Sequence, residues 1–179
     1  MALKSRTEKP GEYGYGVAGK QSELILEPKC PLAWRRATSS NFPPFAVIAG
    51  KESDGRPLYV ARAFHDKWEQ LGKAGLSCGI GYGCKEHILS EFEVLCADPD
   101  AIEWIPMRGI FKMPTDCVPI PAGTEKHAPH KRLVIARIMV KNNWIPGKTG
   151  EHLSIGASCA ANGTEYESMD YEILCFRRV

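Results

Sequence analysis

The feature that most constrains this chain is internal: it holds two copies of one unit. Leu58-Tyr59-Val60-Ala61-Arg62, running on to Gly72-Lys73, matches Leu133-Val134-Ile135-Ala136-Arg137, running on to Gly147-Lys148, at an offset of 75 with five of sixteen positions identical. Farther on, Glu91-Phe92-Glu93-Val94-Leu95-Cys96 matches Asp170-Tyr171-Glu172-Ile173-Leu174-Cys175 at an offset of 79, and every difference is conservative. Trp34 pairs with Trp104 at an offset of 70. Self-similarity at a near-constant period marks a repeat architecture, and the drift in offset places small insertions in the second copy, where loops absorb them. The expected organisation is a head, residues 1–30, a first repeat, 31–100, and a second, 101–179.

Each unit reads as β. Leu58 to Ala63 and Leu133 to Ile138 are short apolar runs rich in β-branched and aromatic residues, while Phe92/Val94 and Tyr171/Ile173 alternate with acidic residues as half-buried strands do. Ser53-Asp54-Gly55-Arg56-Pro57 and Ile145-Pro146-Gly147-Lys148 have turn composition. Phe64, Trp68 and Leu71 share a helical spacing, but the second copy carries Asn142-Asn143 and Pro146 there, which disfavour a helix. A hairpin connection fits both copies. Units this small bury little alone, so the expectation is an all-β tandem pair of antiparallel sheets packed with pseudo-twofold symmetry and open to exchanging strands.

Composition narrows the function classes. With 179 residues, 44% apolar and 25% charged, the chain can bury a core unaided, and disorder is excluded. Its 23 basic and 21 acidic residues give no field that would draw nucleic acid, so no nucleic-acid partner is expected. No apolar run approaches the roughly 20 residues a membrane-spanning helix needs, and residues 1–19 lack a signal-peptide core, so a cytoplasmic protein is expected. The seven cysteines are odd in number and form no C-x-x-C pair, which favours reduced thiols. The sequon Asn162-Gly163-Thr164 would matter only in the secretory pathway.

The string Ser40-Asn41-Phe42-Pro43-Pro44-Phe45-Ala46-Val47-Ile48-Ala49-Gly50-Lys51-Glu52-Ser53-Asp54-Gly55-Arg56-Pro57-Leu58-Tyr59-Val60-Ala61-Arg62-Ala63 resembles the opening of a DM-nine (DM9) repeat. Lys85-Glu86-His87 followed by Ser90-Glu91-Phe92-Glu93-Val94-Leu95 resembles its close. The resemblance runs strongly over Trp34 to Cys96 and weakly over Trp104 to Cys175, and the first 30 residues match nothing in the pattern. It implies an all-β tandem protein of invertebrates, similar to bivalve mannose-binding lectins and to cytoplasmic or vesicle-associated proteins induced by infection or stress.

In those lectins the sugar is read by an acid two positions after the Ala-Gly of the first strand and by the Lys of a later Pro-Gly-Lys, which in this chain is Leu71-Gly72-Lys73 in the first repeat and Pro146-Gly147-Lys148 in the second. Carried onto this chain, the resemblance implies Glu52 with Lys73 in the first repeat and Glu125 with Lys148 in the second. The acid is Glu where the lectins have Asp, one methylene longer, and the second copy has Thr164-Glu165-Tyr166 in place of Lys-Glu-His. The pairing suits a neutral sugar, since a carboxylate accepts hydroxyl protons while an ammonium donates to ring and hydroxyl oxygens. Lys85, Glu86 and His87 either line the first pocket or serve a turn. Arg62 and Arg137, recurring at one place in each copy, are expected to pair with Glu93 and Glu172 across the sheet.

Other motifs carry less. His127-Ala128-Pro129-His130 is expected to be a loop rather than a metal site, and no metal or cofactor is expected. Cys78-Gly79-Ile80-Gly81-Tyr82-Gly83-Cys84 lacks the lysine and spacing of a phosphate loop and is expected to be a flexible β-turn. No Cys-His pair sits in a recognisable nucleophile context. The leading expectation is a non-enzymatic glycan-binding protein recognising mannose-containing glycans as a homodimer, in innate immune or stress recognition. Its alternative is an intracellular interaction protein of vesicles or membranes with vestigial sugar sites, and a third option is a cysteine-dependent enzyme.

Overall fold

The computed structural model describes residues 30–178. The first repeat supplies β1 (Ala33–Ala37), β2 (Ile48–Lys51), β3 (Pro57–His65), β4 (Trp68–Ala74), β5 (Cys78–Tyr82), β6 (Lys85–Leu89) and β7 (Phe92–Cys96). A 3₁₀ turn (Pro99–Ala101) leads into β8 (Ile102–Arg108), β9 (Val118–Pro119), β10 (Pro121–Glu125), β11 (Ala128–Val140), β12 (Asn143–Thr149), β13 (Ala157–Ala161), β14 (Thr164–Ser168) and β15 (Asp170–Phe176). Among the described residues there is no α-helix, and no helix is long and apolar enough to cross a membrane. The all-β expectation holds.

The strands form one sheet in the order β1-β7-β3-β4-β5-β6-β14-β13-β12-β11-β15-β8, with β2 on β3, β10 on β11 and β9 on β15. Past the β6–β14 contact, the second repeat lays down the counterparts of the first in reverse order. A pseudo-twofold relation therefore passes through this seam. Registers repeat with it: Arg62 faces Glu93 and Trp34 faces Leu95, as Arg137 faces Glu172 and Trp104 faces Leu174.

Four hairpins carry the same turn chemistry. Asp66-Lys67, Gly83-Cys84, Lys141-Asn142 and Asn162-Gly163 all have positive φ at both central residues. Two-residue loops of that kind match the right-handed twist of the strands they join. The stretch from Phe64 to Leu71 is a hairpin in both copies, and the 3.6-residue spacing of its apolar residues is incidental.

Three local expectations need correction. Ile145 to Lys148 is not a turn but the buried centre of β12. Pro146 is tolerated there because it pairs with Arg137 on β11, while β13 engages β12 only from Gly147 onward, so its missing N–H costs no ladder bond on that side. Cys78 to Tyr82 is not a flexible turn but β5, buried along Cys78–Gly81, and only Gly83-Cys84 turns. His127 closes a turn, but Ala128, Pro129 and His130 already belong to the exposed start of β11.

The repeats share a core. Val47, Ala49, Val60, Leu71 and Leu95 of the first pack with Ile120, Ala122, Leu133, Ile135 and Leu174 of the second in one buried cluster. Strand β2 crosses β12, and β10 crosses β4, at distances only glycine permits. A Cβ on Gly50 would lie 1.8 Å from the Trp144 carbonyl oxygen, and one on Gly123 would lie 2.4 Å from that of Glu69. These are the glycines of the two Ala-Gly pairs, so the crossing fixes where the following acids, Glu52 and Glu125, emerge.

Candidate functional site

Lys73 on β4 and Lys148 on β12 point their ammonium groups into the region around the seam. Lys73 Nζ lies 3.8 Å from Glu52 Oε1 and 3.2 Å from Glu86 Oε1. Lys148 Nζ pairs with Glu125 Oε1, donates to Gln70 Oε1 at 3.0 Å and to the Gly81 carbonyl at 2.8 Å, and lies 3.8 Å from Glu165 Oε1. The structure thus brings together Glu52 with Lys73 and Glu125 with Lys148. Of the triplet Lys85-Glu86-His87, it brings only Glu86 to a lysine. Lys85 is exposed at the seam opposite Thr164, and His87 bonds the Tyr82 carbonyl oxygen at 3.0 Å and packs on His65 with ring centroids 4.2 Å apart.

Glu165 is the counterpart of Glu86, although its flanking residues differ. The two acids cross the seam reciprocally: Glu86 Oε2 accepts the Gly163 amide at 2.7 Å, and Glu165 Oε2 accepts the Cys84 amide at 3.0 Å. Each therefore joins its own repeat's lysine to the other repeat's turn. Glycines on β5 provide the space, because a Cβ on Gly79 would meet Glu86 Oε1 at 2.4 Å and one on Gly81 would meet the Glu165 side chain at 2.9 Å. The glycine alternation of β5 serves a buried charge network rather than a phosphate.

The two sites differ in openness. Side-chain exposure is 36% for Glu52 and 11% for Lys73, against 10% for Glu125 and 3% for Lys148. Part of the difference comes from His152, whose Nε2 lies 3.0 Å from Glu125 Oε2. His152 sits between β12 and β13, in a connection of seven residues where the first repeat has three between β4 and β5. Sequence reasoning assigned that insertion to a loop and missed His152, and it also missed Gln70, which bonds Lys148 and the Thr124 carbonyl. The signal for His152 was its position in an insertion present in one copy only.

Arg62 and Arg137 are placed as expected. Arg62 bonds Glu93 at 2.6 Å, meets Glu69 at 3.0 Å and lies over Trp34; Arg137 bonds Glu172 at 2.6 Å and lies between Trp104 and Trp144. Two clefts lie away from the lysines. One, of about 520 Å³, is lined by Arg36, Arg62, Glu69, Glu91 and Glu93, and the other, of about 580 Å³, by Phe45, Ile48, Pro99 and Trp104. Among the described residues no group of three or more His, Cys, Asp or Glu is arranged to hold a metal ion. All seven cysteines are free, and burial pushes the Cys78 and Cys159 thiols each up to about 12, away from nucleophile character.

The DM9 repeat family model matches residues 13–80 and again 73–155. The chain belongs to the DM9 repeat family. The first match begins inside the segment that the sequence resemblance left outside the pattern, and both matched spans start N-terminal to the repeats at 31–100 and 101–179. Among solved structures, this DM9 protein is similar to the nematode sperm cell motility protein MFP2B, with a TM-score of 0.56 and 15% identity over 90% of this chain. The chain spans about half of that one, 52%. At this identity the likeness concerns the fold alone. A search of curated proteins finds no match.

Proposed function

We propose that this DM9 protein is a non-catalytic carbohydrate-binding protein and that Glu52 and Lys73 read vicinal hydroxyls of a mannose-type glycan, in innate immune or stress recognition. The observation that carries this is the Glu52–Lys73 pair itself: a half-open carboxylate 3.8 Å from a lysine held on a buried strand. That spacing is too long for a strong ion pair and leaves both groups able to bond one diol between them. Glu86 holds the ammonium at 3.2 Å, so little side-chain entropy is lost on binding.

A single site of this kind corresponds to a Kd of about 0.1 to 10 mM. Useful avidity would come from several sites on one particle, such as a homodimer, which can add about 100-fold or more. Retention on mannan-agarose at neutral pH tests the proposal. Wild-type protein is expected to be retained and eluted by free mannose, while Lys73→Ala flows through. Equal retention of both would refute the assignment of the site.

A further inference from the structure

The second repeat's lysine site is occupied by the chain itself. In the first repeat, Lys73 has two carboxylate neighbours, one of them the half-open Glu52. In the second, the ammonium of Lys148 is matched by three acceptors within bonding distance, Glu125, Gln70 and the Gly81 carbonyl, and Glu125 presents its remaining oxygen to His152. Every group that would meet a diol in the first repeat is already bonded in the second. Gln70 and Gly81 come from β4 and β5 of the first repeat, while His152 comes from the four additional residues between β12 and β13.

We propose that His152 is a latch, an imidazole that takes the place of a ligand hydroxyl on Glu125 and keeps the second site closed while the first stays open. The latch is a poor substitute for a ligand in one respect. His152 Nδ1 is buried and has no hydrogen-bond partner among the described residues. A buried ring nitrogen without a partner is destabilising, so the closed state carries a penalty that withdrawal of the ring would relieve. Leu153 N bonds the Gly150 carbonyl, and Thr149 Oγ1 donates to the Gly156 carbonyl at 2.6 Å, so the loop is closed at its base and its tip lies outside the strands. Gly150 provides the room for the ring, since a Cβ there would come within 3.0 Å of His152 Cε1. The charged and titratable groups facing the imidazole and its partners come from four strands: Glu125 on β10, Lys148 on β12, Glu165 on β14 and Tyr82 on β5, whose ring lies 5.6 Å from Lys148 Nζ.

The latch rests on the sugar-site reading only for the identity of what it excludes; that His152 occupies the second oxygen of Glu125, the carboxylate paired with Lys148, stands on geometry. The test has two arms on the full-length protein, wild type and His152→Ala, with His152→Gln as the conservative variant. In the first arm, lysines are labelled with a small acylating reagent and quantified by peptide mass spectrometry. Lys148 is expected to react at least tenfold more slowly than exposed Lys85 in wild type, to gain about fivefold or more in His152→Ala, and to stay protected in His152→Gln, whose amide can reach Glu125. Protection of the buried Cys78 thiol in the same samples shows that the fold is intact. In the second arm, methyl α-mannoside is titrated calorimetrically, with about one site per chain expected in wild type and about two in His152→Ala. Unchanged Lys148 labelling in His152→Ala, with Cys78 still protected, overturns the latch whatever the titration gives. Increased labelling with no sugar bound by any variant leaves the latch standing and refutes the sugar reading. Increased labelling with one site in both proteins overturns the claim that the latch excludes ligand.

Discussion

Glu86 and Gly163 belong to different repeats, and the Glu86 carboxylate accepts the Gly163 amide at 2.7 Å while its other oxygen lies 3.2 Å from Lys73. Glu165 and Cys84 repeat the arrangement in the opposite sense. The two copies are thus tied together through the acids that hold their lysines, and the seam and the candidate site share side chains. Outside these bonds the strand pairing of β6 with β14 is slight, a single register pair of Thr164 with Lys85. Glu86→Ala is therefore expected to act on stability as well as binding. It leaves the largely buried Lys73 with Glu52 alone at 3.8 Å and removes a charge-assisted bond at the seam, a loss of about 1.5–3 kcal/mol. Urea unfolding measures it, and a change below about 0.5 kcal/mol would mean that the seam does not depend on this carboxylate.

Two glycine substitutions should separate close approach from backbone preference. At Gly123, φ is +73° and a Cβ would lie 2.4 Å from the Glu69 carbonyl oxygen; at Gly55, φ is +88° and nothing lies within 4 Å. Gly55→Ala meets only the left-handed backbone penalty of about 1–2 kcal/mol. Gly123→Ala adds a clash with backbone of the other repeat and is expected to cost more than about 3 kcal/mol. Chemical denaturation of both variants ranks them, and equal costs would show that β10 can move away from β4.

The two repeat-matched arginines should not be equivalent. Arg137 bonds Glu172, lies between two tryptophans and donates to the Ala49 carbonyl of the first repeat at 3.2 Å, whereas Arg62 bonds only side chains of its own repeat. Lysine cannot reproduce a planar fork stacked on aromatic faces. Arg137→Lys is expected to lower stability by about 1–3 kcal/mol and Arg62→Lys by less, as read from thermal unfolding.

Much of this was legible in the sequence because the chain says it twice. A strand recurring at Leu58 and Leu133, or an Arg facing a Glu in both copies, is hard to misread. The errors fell where one residue type has two uses. Pro146 and Gly147 look like a turn, yet they lie in a strand because Pro146 faces a position with no second neighbour and Gly147 lets β13 pass close. Gly79 and Gly81 look like a flexible loop, yet they clear space for Glu86 and Glu165. His152 was invisible because comparison between copies finds what they share, and it lies in what they do not.

Burial of thiols gives the stability a definite pH dependence. Desolvation leads in pushing Cys78 and Cys159 each up to about 12, against about 8.5 for an unfolded thiol. The folded pKa exceeds the unfolded one, so this contribution is complete below about pH 8.5 and is lost as pH rises toward 12. Between pH 8 and pH 10 each thiol should remove about 2 kcal/mol from the unfolding free energy. Cys78→Ala is expected to lose about 2 kcal/mol less than wild type over that interval in urea titrations. Parallel pH profiles would contradict the assignment.

The central claim is that Glu52 and Lys73 form the sugar site, and a crystal soaked in mannose tests it most directly. The account predicts one mannose whose adjacent hydroxyls lie within hydrogen-bonding distance of Glu52 and of Lys73 Nζ, with the Lys148 site still closed by His152. Mannose bound instead in the cleft of Arg36, Arg62 and Glu69, or in that of Phe45 and Trp104, with the Glu52–Lys73 pair unoccupied, would contradict it.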